Sequence, residues 1–190
     1  MKKVEEPKFG GCVRISGGDF RGRKIRTPGE GTHPMGERER LALFNMISDH
    51  LKGAEVLDLY SGGGTLAIEA ISRGAKSAFV IDNDRHAVLT AAANMVELGI
   101  FEVSATALQG DAVEIANTPS PGAIERFDVV FADPPYDLYR EEMVMGLPSL
   151  VKKGGILVLS HPGNAPELPG MDLEKSRNYA GATISIYVKN

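Results

Sequence analysis

The stretch VLDLYSGGGTLAIEA, residues 56–70, decides the fold. An apolar run meets an aspartate, turns on three consecutive glycines and continues at helical spacing. This is a strand, a tight loop and the opening of a helix. Gly62, Gly63 and Gly64 let the backbone pass close to a ligand at the helix N-terminus, where unpaired N–H groups gather. A dinucleotide site would read G-x-G-x-x-G. Here the spacing is D-x-x-x-G-x-G from Asp58 to Gly64, and position 67 is alanine. A carboxylate inside the loop repels a pyrophosphate and suits a cation.

Outward from this loop the chain alternates between strand and helix patterns. Strands are expected at 54–60, 77–82, 104–111, 127–133 and 154–161. Helices are expected at 65–74, at 84–99 with Asp84 as N-cap and Gly99 as stop, over AVEIA, and around 139–151. Residues 117–125, NTPSPGAIE, are rich in breakers and read as a loop. After a further loop, MDLEKSRNYAGATISIYVK reads as two strands around Gly181, with Ile184, Ile186 and Val188 alternating. Upstream, CVRISGGDFRGRKIRTP reads as two short strands around Gly17 and Gly18. ERERLALFNMISDHL is an amphipathic helix with Leu41, Phe44, Ile47 and Leu51 on one face. Apolar strands alternating with helices imply an α/β fold with a mostly parallel sheet covered on both faces.

Composition narrows the function classes. The 190 residues, 43% hydrophobic, suffice for one sizeable core. Cys12 is the single cysteine, so an internal disulfide is impossible. MKKVEEPKFGG holds no apolar leader and no window approaches a membrane span, so a cytoplasmic location is expected. The four histidines lack paired spacing and no metal site is expected. Net charge is −4, yet residues 1–26 hold eight Lys/Arg against three acidic residues. That basic end points to an anionic partner.

Two further strand ends extend the ligand reading. VIDND places Asp82 about 20 residues after the glycines, where an acid can accept both ribose hydroxyls. QGDA places Asp111 where it can accept from an adenine amine, with the Ala112 N–H toward a ring nitrogen. Each aspartate alone could simply cap the next helix. Asp58, Asp82 and Asp111 together favour S-adenosylmethionine. The fourth strand ends FADPPYD, with Asp133, Pro134, Pro135 and Tyr136 beside that groove. Asp133 and the Pro134 carbonyl are acceptors able to orient an exocyclic aromatic amine, and the prolines pre-set them. Tyr136 can stack on the base, which is worth about 1–3 kcal/mol and offsets much of the cost of unstacking.

These motifs resemble class I S-adenosylmethionine-dependent methyltransferases acting on exocyclic amines. Over residues 13–188 the chain more specifically resembles the RsmD family, bacterial 16S rRNA guanine-N2 methyltransferases. VRISGGDFRGRKIRTP, ERERLALFN, DLYSGGGTLAIEAISRGA, DNDRHAV, FADPPYD and RNYAGATISIY carry the likeness. The resemblance implies a Rossmann-like, mostly parallel seven-stranded sheet with an antiparallel C-terminal strand. A basic hairpin and cofactor-covering loop (1–36) would precede a methyltransferase domain (37–190). It implies Asp58, Gly62 and Gly64 on the methionine side, Asp82 on the ribose and Asp111 with Ala112 on the adenine. Asp133 to Tyr136 would hold the guanine amine, and Arg14, Arg21 and Arg23 the phosphates of 16S rRNA within a small ribosomal subunit. A monomer is expected. The chain departs from the family at His33-Pro34-Met35-Gly36, in the loop over the cofactor, where His33 replaces an arginine and Met35-Gly36 replace hydroxyl residues, and at Ser160, where an acid is common. The competing readings are an N6-adenine methyltransferase and a non-catalytic RNA-binding assembly factor.

Overall fold

Period-two alternation in the central strands divides the apolar residues between two faces. Val56, Val80, Val129, Phe131, Ile156 and Val158 point to one face, and Leu57, Leu59, Ile81, Val130, Leu157 and Leu159 to the other. The computed structural model describes residues 9–29, 34–100, 104–117, 127–179 and 182–190. Lys2, Lys3, Lys8, His33, Gly181 and the loop residues 118–125 fall outside the described residues. The elements are β1 (Phe9–Arg14), β2 (Lys24–Pro28), α1 (Glu37–Met46), β3 (Glu55–Leu59), α2 (Thr65–Ser72), β4 (Ser77–Asp82) and α3 (Arg85–Leu98). There follow β5 (Ala105–Gln109), α4 (Ala112–Asn117), β6 (Phe127–Ala132), β7 (Val151–His161), β8 (Met171–Tyr179) and β9 (Ala182–Lys189).

The main sheet has seven strands in the order β5-β4-β3-β6-β7-β9-β8, and β1 pairs with β2 in a separate hairpin. β3 to β7 run parallel, while β9 is antiparallel to both β7 and β8. Residues of α1, α2 and α3 pack on one face and residues of α4 on the other. This is the Rossmann-like architecture expected from the alternating pattern. The order reverses at β3, whose neighbours are β4 on one side and β6 on the other. Such a switch point opens a crevice at the carboxyl ends of the strands.

Local chemistry explains most boundaries. The Asp84 side chain accepts from the His86 N–H at 2.8 Å, and Gly99 closes α3 with φ 74°. The helix expected around 139–151 does not form. Two short 3₁₀ turns, Glu141–Met143 and Leu147–Leu150, replace it, and β7 begins at Val151 rather than at 154. Pro148 lacks an N–H, and Gly146 lies so close to α4 that a Cβ there would meet the Ala116 carbonyl oxygen at 2.9 Å. Val144 and Leu147 still fill the core on the α4 side of the sheet.

The first helix stops at Met46, short of its expected end at Leu51, with a 3₁₀ turn at Ser48–His50 after it, and the buried face differs as well. Phe44, Ile47 and Leu51 are buried, but Leu41 is 42% exposed and Arg40 is 1% exposed. Arg40 turns inward because a buried acid awaits it. Glu69 on α2 accepts from Arg40 Nε at 3.3 Å, from Arg73 Nε at 3.2 Å, and from the Ser16 N–H and hydroxyl. Arg40 also donates to the Met35 and Arg14 carbonyls. One network therefore joins the hairpin, α1 and α2.

The hairpin is seated by its glycines as well. The Ser72 carbonyl accepts from the Asp19 N–H at 2.7 Å, and the Ser72 hydroxyl accepts from the Phe20 N–H at 2.9 Å. Gly18, with φ 75°, sits directly against the Ser72 carbonyl, where no Cβ fits. Ile15 and Ile25 enter the same core as α1, α2 and α3.

Candidate active site

A cleft of about 660 Å³ lies at the switch point, over the carboxyl ends of β3, β4 and β6. The structure brings Asp58, Gly62, Asp82, Asp111 and the whole Asp133-Pro134-Pro135-Tyr136 corner to its lining. Gly64 and Ala112 are adjacent in the chain to lining residues but are not themselves in the wall. Arg14, Arg21 and Arg23 are elsewhere, exposed at the turn end of the β1–β2 hairpin. The other end of that hairpin, Thr27 and Pro28, forms part of the cleft wall.

The glycine loop is built by hydrogen bonds from three directions. Gly62 and Gly64 have φ 53° and 75°, and Gly64 is the N-cap of α2. The Gly62 N–H donates to Asp82 Oδ2 at 2.8 Å, and Asp82 Oδ1 accepts from the Asp84 N–H at 2.9 Å. Asp82 thus ties the end of β4 to the loop. Asp58 Oδ2 accepts from the Ala67 N–H at 3.0 Å, bracing the first turn of α2. Asp111 Oδ1 accepts from the Val113 and Glu114 N–H groups, so it does cap α4 while lining the cleft.

Asn94, on α3, has no signature in the sequence as a site residue. Its Nδ2 donates to the Gly63 carbonyl at 2.9 Å and the Arg26 carbonyl at 2.8 Å, and its Oδ1 accepts from the Arg26 N–H at 2.9 Å. It clamps β2 onto the loop, and a Cβ at Gly63 would meet the Arg26 carbonyl oxygen at 2.7 Å. Asn94→Ala would strand these groups in a buried setting. We expect it to cost about 1–3 kcal/mol of stability, read from urea unfolding midpoints.

Electrostatics define what the cleft accepts. Seven carboxylates line it, those of Glu39, Asp58, Asp82, Asp84, Asp111, Asp133 and Asp137, and no lysine or arginine does among the described residues. Asp58 is 1% exposed, and burial pushes its carboxyl up to about 8, with repulsion from Asp133 and Asp82 adding to the rise and the Ala67 N–H opposing it. Burial also raises Asp133, while hydrogen bonds from Ser160 and Tyr136 pull it down. The buried hydroxyls of Tyr60 and Ser61 have no hydrogen-bond partner among the described residues. Tyr60 adopts φ 58°, a strained conformation for a side-chain-bearing residue. Its phenol is pushed up to about 12, mainly by burial and further by the charge of Asp111. The lining therefore suits a ligand with cationic centres and with hydrogen-bonding groups for the orphaned hydroxyls.

A pH dependence follows from Asp58. Its folded-state value lies above the unfolded one, so its stabilising proton is fully held below 3.8 and lost as pH rises through about 8. The ligand-free protein should lose stability across that window. Asp58→Asn should remove this component, as measured by urea unfolding at a series of pH values.

The corner itself contains a residue that periodicity does not mark as a partner. Ser160, at the end of β7, is 2% exposed and hydrogen-bonds the Tyr136 hydroxyl. Asp133, Tyr136 and Ser160 form a connected group on the cleft wall. Tyr136 remains 38% exposed.

Comparison with known proteins matches this arrangement. The family model "Conserved hypothetical protein 95" matches residues 13–188. The ribosomal RNA small subunit methyltransferase D of Haemophilus influenzae is 32% identical over 148 residues, covering 77% of this chain and 76% of that protein. The chain belongs to the ribosomal RNA small subunit methyltransferase D family. A further relative, a putative rRNA methyltransferase of Bacillus subtilis, is 29% identical over 187 residues, covering 93% of this chain and 99% of that one. A putative methyltransferase of Escherichia coli shares the fold, with TM-score 0.82 and 23% identity over 95% of this chain and 99% of that chain. The family-model match, residues 13–188, runs from within the hairpin through the seven-stranded sheet. Among the described residues, no helix is long and apolar enough to cross a membrane.

Proposed function

We propose that the protein transfers a methyl group from S-adenosylmethionine to the exocyclic N2 amine of a guanine in small-subunit ribosomal RNA. The observation that carries the reading is the Asp133-Pro134-Pro135-Tyr136 corner on the wall of an acidic cleft at the sheet's switch point. Bound there, S-adenosylmethionine supplies an electrophilic methyl group. Asp58 and Gly62 hold its methionine part, Asp82 its ribose and Asp111 its adenine, with Gly64 and Ala112 shaping the backbone just behind the wall. The acidic lining favours its positive charges over a dinucleotide's phosphates.

Asp133 and the Pro134 carbonyl orient the guanine amine, and the Asp133 carboxylate takes up the proton that the methylated nitrogen releases. Tyr136 offers a ring face to the base. Holding the amine in position supplies much of the rate. The acidic cleft repels phosphates, so the RNA backbone is held by the basic hairpin. This supports a division into an RNA-facing segment (1–36) and a catalytic domain (37–190), with the hairpin sharing the domain's core. Replacing Arg14, Arg21 and Arg23 together by alanine should weaken RNA binding. The slope of log K against log salt, measured by filter binding, should become shallower by about 0.7–0.9 for each phosphate no longer neutralised.

The direct test uses labelled S-adenosylmethionine and small ribosomal subunits from cells lacking the homologous enzyme, with the RNA digested to nucleosides. Label in N2-methylguanosine is the expected result. Label in N6-methyladenosine would overturn the base assignment, and cofactor-independent RNA binding without label would favour an assembly factor.

A further inference from the structure

Methyl transfer by the Asp133 corner needs two things that the corner's own four residues do not secure. The Tyr136 ring must keep one orientation while leaving a face free, and the Asp133 carboxylate must stay an acceptor although it is set into the cleft wall. The prolines fix only the backbone end of Tyr136. Its hydroxyl end is held from another strand, by Ser160.

Ser160 is buried on β7, where it pairs with Ile184 of β9, one residue beyond the last β6–β7 pair, Ala132–Leu159. Its Oγ hydrogen-bonds the Tyr136 hydroxyl, and both side chains lie beside Asp133 on the cleft wall, where their hydrogen bonding lowers the Asp133 carboxyl. With one proton each, the two hydroxyls form an open chain to the carboxylate, one donating to the other and the other to Asp133. A hydroxyl is required at position 160 for this, since it accepts from one neighbour while donating to the other. An acid at position 160 would instead add an eighth carboxylate to the wall.

We propose that Ser160 is a positioning residue for methyl transfer, holding the Tyr136 ring and the Asp133 carboxylate in one fixed arrangement. The inference rests on the methyltransferase reading. Ser160 acts through its two partners.

The test compares Ser160→Ala and Ser160→Thr with the parent protein, using two readouts. The first is the pH dependence of kcat on small ribosomal subunits. The second, independent of activity, is the titration of the Asp133 carboxyl by carbon NMR, assigned with Asp133→Asn. Removing the Ser160 hydrogen bond removes an influence that lowers Asp133. In Ser160→Ala the Asp133 midpoint and the acid limb of kcat should both move to higher pH, and kcat should fall roughly 3- to 10-fold. Ser160→Thr should restore both. Tyr136→Phe in the Ser160→Ala background should cost less than in the parent, because the two share one interaction. An unmoved Asp133 midpoint, or a loss equal at every pH and additive with Tyr136→Phe, would overturn the proposal. If the parent shows no methylation while the Asp133 midpoint still moves, the positioning role stands and the reaction assignment fails.

Discussion

Asp133→Ala is expected to lower methyl transfer by about 100- to 1,000-fold while leaving cofactor binding in place. The size follows from losing a preorganised acceptor aimed at the reacting amine. Asp133 follows β6 directly, where the two prolines stop the strand and hold the acceptor without reorganisation. The same substitution has a second consequence. Asp133 is one of the charges that raise Asp58, so its removal should lower the Asp58 carboxyl and favour its ionised form. Binding of cationic S-adenosylmethionine should therefore persist or tighten, which isothermal calorimetry would show beside a single-turnover assay. A loss of binding equal to the loss of rate would assign Asp133 to the cofactor instead. Asp133→Asn separates two roles, since it keeps an acceptor oxygen but cannot take up the proton.

The largest effect on stability should come from Glu69→Ala. Glu69 is fully buried and faces Arg40, 1% exposed, and Arg73, with 15% of its side chain exposed. Surface ion pairs contribute little, but removing one partner of a buried pair leaves charge uncompensated and costs about 3–5 kcal/mol. Here the Ser16 N–H and hydroxyl lose their acceptor as well. At about 2–4 °C per kcal/mol for a chain of this size, the melting temperature should fall by about 10 °C. Glu69 also joins the hairpin to α1 and α2, so hydrogen exchange should speed up first over Val13–Phe20. Uniform acceleration through β3 and β6 as well would mean that the hairpin unfolds only with the whole molecule.

Much of the architecture was legible because it depends on local chemistry. Strand β4 falls on 77–82 as read, Asp84 and Gly99 bound α3, and the glycines after β3 turn as expected. Each of these is set by side-chain alternation, a cap or a positive φ. The helix read at 139–151 failed because its apolar residues were spaced for burial while Gly146 and Pro148 stood among them. Tight packing against α4 selected two 3₁₀ turns. Arg40 was unreadable as a core residue because its burial depends on Glu69, 29 positions away.

The cleft divides in the same way. Asp58, Asp82, Asp111 and Asp133 follow strand patterns, so the sequence alone identified them as facing one edge of a parallel sheet. Asn94 carries no local signature, and Ser160 stood out only as a departure from the acid common there in the family. Asn94 became part of the site because α3 lies under both β2 and the glycine loop, and Ser160 because β7 pairs beside β6. Local periodicity and turn chemistry determined the elements and the acidic strand ends. Long-range contacts between elements decided which polar side chains became buried partners, because an unpaired polar group in the interior costs more than any local preference.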